Sequence, residues 1–411
     1  MKINKHTLSN GLRILHCADS TSQLVTLGIL YKVGARNESP EHTGFAHLFE
    51  HLMFGGTKNV PNFDRPLQMA SGTSNAFTVN DYTFYHQTVP YQNVETSFWL
   101  ESDRMESLAF SDESLEVQRK VVMEEFKQNY LNRPFGDFLH LMSSLCYKVH
   151  PYRWPTIGIE LSHIENATMD EVKDFFFSYY APNNAILSVS GNISFERVVE
   201  LSEKWFGRIP AREIRKADIP QEPEQTEERR MTVYRPVPFE FLNLSFHIPS
   251  VRNADFVKSD MISDVLSLGK SSRVYRELVD GCKMFSAVDV SVLPRLDTGL
   301  LTFYCSLNPG VDLNEAEAAL WQTIERLKAD GPADDEMTMV KNNYVTEREY
   351  DIISVGDRAR LMAYYEMLGD AEQVNSLCDN YCSVDGNALR EECNRIMTRE
   401  KANTLFYLKE K

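Results

Sequence analysis

The chain is short of the features that mark membrane, nucleic-acid and disulfide-built proteins. Among its 411 residues no window approaches the roughly 18 apolar residues of a membrane-spanning helix. The start, Met1-Lys2-Ile3-Asn4-Lys5-His6-Thr7, has no apolar signal core and is expected to be a mature N-terminus. Positive charge is in deficit, with 43 Lys and Arg against 59 Asp and Glu and a net charge of −16. Such a surface repels phosphate backbones and anionic headgroups, so no nucleic acid and no membrane is expected as partner. Cysteines are few, scattered and odd in number (Cys17, Cys146, Cys282, Cys305, Cys378, Cys382 and Cys393). That argues against a disulfide framework and for reduced thiols in a cytoplasmic compartment. Cys378 and Cys382 lie four apart, but with no histidine near them they read as helix packing rather than a second metal site.

What the chain does have is an ordinary globular composition, 43% hydrophobic and 25% charged, at a length that calls for two or more domains. Residues 209–238 hold Pro210, Pro220, Pro223, Pro236 and Pro238 among charges without sustained periodicity, and read as a linker between domains at 1–208 and 239–411. The flanking halves repeat one another. In the first, a strand at 24–33 precedes a helix around residue 48, strands at 75–89 and a helix bearing Trp99. In the second, a strand at 239–248 precedes a helix at 260–266, strands at 286–307 and a helix bearing Trp321. Trp99 and Trp321 are 222 residues apart, and Asp112 and Asp335, each opening the next long helix, 223. Closing strands are expected at 186–189 and 404–408. A near-constant offset over these landmarks predicts a duplicated α+β domain.

The first copy carries His47-Leu48-Phe49-Glu50-His51, an inverted H-x-x-E-H motif. At about 100° per residue, positions 47 and 51 share a helix face, so two imidazoles converge on one point. Glu50 points to the same side, the arrangement of a zinc hydrolase whose glutamate acts as general base. Leu48, Phe49, Leu52, Met53 and Phe54 make the stretch apolar nearly all round, which predicts a core helix. Two imidazoles and a carboxylate buried there are costly unless paired, and a metal ion satisfies all three. The alternative is a pair of hydrogen-bonded histidines on a half-buried helix.

A catalytic zinc takes a third protein ligand. In residues 116–127, positions 118, 121, 122 and 125 form one helical stripe that Val121 and Val122 make apolar, which directs Glu125 inward and leaves Glu124 solvated. A plain surface glutamate pair is the other reading. The second copy has no such ligands at 260–266 or 340–350, so only the first can hold the metal.

At these residues the chain resembles the pitrilysin/insulinase family of zinc peptidases, which includes the mitochondrial processing peptidases. The resemblance rests on the motif with its exit Gly55-Gly56-Thr57, on Ser74-Asn75-Ala76-Phe77-Thr78 followed by Asp81-Tyr82-Thr83-Phe84-Tyr85, on Val121-Val122-Met123-Glu124-Glu125, and on Tyr180-Ala181-Pro182-Asn183-Asn184-Ala185 leading to Gly191-Asn192. It implies two homologous α+β domains of the processing-peptidase type, forming half of a clamshell. It also implies one Zn2+ per chain on His47, His51 and Glu125, Glu50 as base, and Asn75, Ala76 and Phe77 as the edge strand on which a substrate peptide is laid.

Two departures from the family pattern shape the expectations. Gln118 stands where a glutamate often supports the ligand carboxylate, so local negative charge falls by one. In active members a second-half arginine and tyrosine polarise the scissile carbonyl. Here valine or aspartate (Val279, Asp280) stands for the arginine and Phe285 for the tyrosine. A phenyl ring offers no hydroxyl to an oxyanion, and losing one such donor typically costs about a hundredfold in rate. The expectation is a zinc-bearing subunit of a heterodimer whose related partner supplies the missing pair. The runner-up is a homodimer using Arg273 or Arg276. A non-catalytic assembly or peptide-binding subunit with a structural zinc is the reading from a different class.

Overall fold

The computed structural model describes residues 1–410. The chain divides into two compact units. The first comprises Met1–Gln128, Trp154–Ile219 and Glu349–Ser376; the second comprises Asn129–Arg153, Pro220–Arg348 and the described residues from Leu377 onward. No helix among the described residues is long and apolar enough to cross a membrane.

The first unit is built on strands β1 (Asn4–Thr7), β2 (Arg13–Ala18), β3 (Leu24–Tyr31), β4 (Thr73–Thr78), β5 (Thr83–Pro90) and β6 (Ala185–Gly191), in the order β1-β2-β6-β3-β5-β4. The second is built on β7 (Arg229–Arg235), β8 (Phe241–Ile248), β9 (Phe285–Leu293), β10 (Gly299–Leu307) and β11 (Asn403–Lys409), in the order β7-β11-β8-β10-β9. Apart from β1, the orders match strand for strand. Each sheet carries one parallel pair, β2 with β6 and β7 with β11, in corresponding places. This is the duplication that the offset of 222 to 223 residues predicts. Arg229–Arg235 lies inside the stretch expected to be linker. Its alternation is masked by three arginines, yet Met231 and Val233 point inward and pack on the second core.

In the first unit the odd-numbered residues of β3 (Val25, Leu27, Ile29 and Tyr31) face the main core, which the helices Phe45–Leu52, Val94–Ser107, Asp112–Phe126 and Phe195–Phe206 enclose. The opposite face is covered by Val355–Leu368, which packs on β2, β3, β5 and β6. That face is lined by small buried residues, Thr26, Ser188 and Ser190. At Gly28 a Cβ would come within 2.4 Å of the Phe84 ring. The second unit has a counterpart in Phe138–Cys146, which packs on β7, β8 and β11 with Met142, Leu145 and Cys146 buried. Each sheet thus takes one covering helix from the other half of the sequence.

Candidate metal and active site

Packing fixes the rotation of the motif helix, Phe45–Leu52. Phe45, Leu48, Phe49 and Leu52 are buried, and the Phe49 ring lies 4.5 Å from that of Tyr180 and 5.7 Å from that of Phe176. His47 and His51 are left on the remaining face, ring centroids 4.8 Å apart and nearly perpendicular. The helix Asp112–Phe126 packs alongside. It is anchored by buried Leu115, Val122 and Phe126 and by Arg119, whose Nη2 donates to Ala167 O at 2.8 Å. Of the two valines expected inside, Val122 is buried and Val121 is 45% exposed. Adjacent helix positions point about 100° apart, and here the core takes Val122 and leaves Val121 outside it.

This packing brings Glu125 Oε2 to 3.7 Å from His47 Nε2 and 3.5 Å from His51 Nε2. One ligand atom from each of the three residues lies within 4.8 Å of the others, and no other such group occurs among the described residues. Ligand bonds of about 2.0–2.1 Å to a tetrahedral zinc put the donor atoms about 3.3–3.4 Å apart. The donor set, two imidazoles and a carboxylate at nearly that spacing, therefore fits zinc. Burial lowers His47 to about 4, which keeps its imidazole neutral through the physiological range. The hydrogen bond with His51 holds the Glu125 carboxyl below its usual range against the opposing effect of burial.

Glu50 projects beside the trio. Burial raises its carboxyl, and the Thr78 hydroxyl works against that by donating to Oε2 at 2.5 Å. Thr78 ends β4, an edge strand of the first sheet. Across β4 and β5, Asn75 pairs with His86, Ala76 with Tyr85 and Phe77 with Phe84. Because Val79 N donates to Tyr82 O, alternation turns the N–H and C=O of Ser74 and Ala76 to the open edge. Asn75 Oδ1 accepts from that outward Ala76 N–H at 2.9 Å. The Phe77 side chain points away from the motif helix, its ring 5.7 Å from Phe84 and 5.9 Å from Tyr82. Gln118 sits two turns before Glu125, half-buried, with no hydrogen bond from its amide to either imidazole. The buried Nδ1 of His47 has no protein partner.

Two contributors went unassigned in the sequence. Thr78 lies on the expected substrate-binding edge strand, but with no role toward Glu50. Glu38 gives no local signal, since it acts on residues six to eight positions further on, where its carboxylate accepts the N–H groups of Gly44 and Ala46.

Among its described residues the second unit holds no comparable trio. Its helix Phe256–Ser267 follows β8 and packs on the edge strand β9, much as the motif helix packs on β4, but it carries Asp260 and Asp264. Val279 and Asp280 lie in the π-helical stretch Tyr275–Gly281, and Phe285 is fully buried at the start of β9. Arg273 is locked in a two-pronged pair with Glu336 at 2.8 and 2.7 Å and also donates to Gly331 O. The Arg276 side chain is 61% exposed.

Residues 13–145 match the family described as insulinase (peptidase family M16), and residues 166–344 match the peptidase M16 inactive domain. Over 406 residues the chain is 29% identical to a Helicobacter pylori protein named zinc protease PqqE, covering 97% of this chain and 91% of that one. The crystal structure of a protease from Helicobacter pylori superposes with a TM-score of 0.93 at 29% identity, covering 99% of both chains. The periplasmic protease PqqL from Escherichia coli superposes with a TM-score of 0.81 at 18% identity, a likeness of fold alone, which covers 99% of this chain and 47% of that one. With both M16 domain types matched in order, and the fold of its relatives shared from end to end, the chain belongs to the pitrilysin/insulinase (M16) peptidase family.

Proposed function

We propose that this chain is a zinc-dependent endopeptidase that cleaves extended peptides, with one Zn2+ held by His47, His51 and Glu125. The observation that carries the proposal is the convergence of these three side chains beside Glu50 and an open sheet edge. A zinc ion supplies Lewis acidity and an acidified water at such a site. The chain's residues do the rest. Glu50, steadied by Thr78, takes the proton of the attacking water and returns it to the leaving amine. A substrate strand adds to β4 through the outward N–H and C=O groups of Ser74 and Ala76, which gives affinity with little sequence preference. To bind there it displaces the Asn75 carboxamide, which is then free to bond the peptide.

The transition-state donors come from a second, related subunit in this proposal. Phe285 is buried and without a hydroxyl, and Arg273 is spent on Glu336, so neither is available as an oxyanion partner. A homodimer in which Arg276, 61% exposed and 3.7 Å from Glu336, serves as the donor is the second reading. A cytoplasmic site of action fits cysteines that are few, scattered and odd in number.

The test compares hydrolysis of a quenched fluorescent peptide by zinc-loaded parent and Glu50→Gln, each alone and mixed with candidate partner chains. The reading predicts zinc retained in the variant with turnover lost by at least about a hundredfold, the scale on which general-base and transition-state contributions fall. Equal turnover in parent and variant would overturn it.

A further inference from the structure

The motif helix starts abruptly. It is eight residues long, and its N-cap, Gly44, has left-handed backbone at φ +87° and no side chain with which to cap it. The first N–H groups of a helix need partners from outside the helix. They find Glu38, which is 8% exposed. Its Oε2 accepts from Gly44 N at 3.0 Å, its Oε1 from Ala46 N at 2.8 Å, and the Phe45 N–H adds a third donor.

Glu38 is itself fixed from behind. Ala35 N and Arg36 N donate to Val79 O and Asn80 O, and Arg36 Nη1 pairs with Asp81 Oδ1 at 3.0 Å. At Gly34 the approach is so close that a Cβ would come within 2.3 Å of Val79 O. The Trp154 indole donates to Ala35 O at 3.0 Å. Val79 to Asp81 is the turn directly after Thr78, the residue that holds Glu50. A continuous set of bonds therefore runs from the end of the edge strand, through Glu38, into the turn of helix that presents His47.

We propose that Glu38 is the positioning residue of the metal centre. By gripping the first turn of the motif helix from the same turn that carries Thr78, it sets the rotation of His47, His51 and Glu50 relative to Glu125 and to the edge strand. The inference rests on the zinc reading above.

The test is metal binding by full-length Glu38→Gln and Glu38→Ala. Zn2+ affinity is measured by competition with a chromophoric chelator, Co2+ by its visible absorption bands, and the thermal midpoint is measured in chelator. Glutamine keeps the shape but turns an NH2 against a backbone N–H. Ser194→Ala, which removes the cap of the helix Phe195–Phe206 in the same unit, a helix packed on β2 and on Val94–Ser107, controls for general destabilisation. The expected result is a fall in Zn2+ affinity of about 10- to 100-fold in the Glu38 variants, the range for residues that orient ligands. The Co2+ bands should change, and Ser194→Ala should bind as the parent does. Glu38→Gln binding zinc at parental affinity with an unchanged Co2+ spectrum would overturn the proposal, and so would an equal loss in Ser194→Ala. A parent that binds neither ion would overturn the zinc reading first, and this inference with it. If Glu38→Ala does not fold, Glu38→Gln decides alone.

Discussion

Replacing Thr78 by valine isolates one hydrogen bond at the reacting end of the site. The Thr78 hydroxyl donates to Glu50 Oε2 at 2.5 Å, and its remaining side-chain contact is a long 3.4 Å approach to Thr83 Oγ1. Valine keeps the β-branched shape that suits a strand, so the fold should hold to within about 1 kcal/mol. A hydrogen bond to a charged group contributes roughly 1.5–3 kcal/mol. At about 1.4 kcal/mol per factor of ten, losing the hold on the base costs about 10- to 150-fold in rate. None of the three metal ligands bonds Thr78, so zinc affinity should stay within about twofold while kcat falls. Thr78→Ser, which restores the hydroxyl, should recover most of the loss. The assay is steady-state hydrolysis of a fluorescent peptide with zinc content measured on each preparation. A Thr78→Val enzyme with parental kcat, or one whose loss tracks missing zinc, would refute the reasoning that Thr78 orients the base.

Two further predictions concern stability. Glu101 and Arg104 form a fully buried pair at 2.7 and 2.5 Å, supported by Gln87 and stacked over Tyr85 and Phe63. Glu101→Gln, which leaves the guanidinium unpaired, should cost about 3–5 kcal/mol in denaturant unfolding, whereas Glu101→Leu with Arg104→Met should cost far less than the two single changes added together. Additive single and double costs would refute that account. Asp264 is the second case: burial, with Asp260 and Glu347 nearby, raises its carboxyl from 3.8 to about 7. The folded state holds this proton more tightly than the unfolded chain does, so the stabilisation is complete below about pH 4 and lost as pH rises through about 7. Asp264→Asn should therefore match the parent near pH 4 and exceed it at pH 8 by on the order of 1–3 kcal/mol, discounted for partial exposure. A parent–variant difference that does not change with pH would count against it.

What could be read from the sequence was what repeats locally. His47 and His51 four apart, Glu125 two turns beyond Gln118, and a 222-residue offset are all helical or tandem regularities, and periodicity reports them. What could not be read depends on distant parts of the chain. Nothing in the spacing of Ala359, Leu361, Met362 and Ala363 tells Val355–Leu368 to cover the first sheet, because one apolar stripe fits either sheet. Glu38 and Thr78 reach the site through a hairpin turn and a loop, contacts with no period. Val121 shows the limit of a stripe drawn on paper, since how wide a face the core covers is set by the packed neighbours and here stops at Val122. β7 was hidden because an edge strand carrying three arginines has the composition of a linker.

The most direct test of the account is an anomalous-difference map at the zinc edge from crystals of the zinc-loaded chain. The account predicts one peak per chain, about 2.0–2.2 Å from His47 Nε2, His51 Nε2 and a Glu125 carboxylate oxygen. A strong peak bound by other residues, or zinc-saturated protein with no peak at this trio, would contradict it.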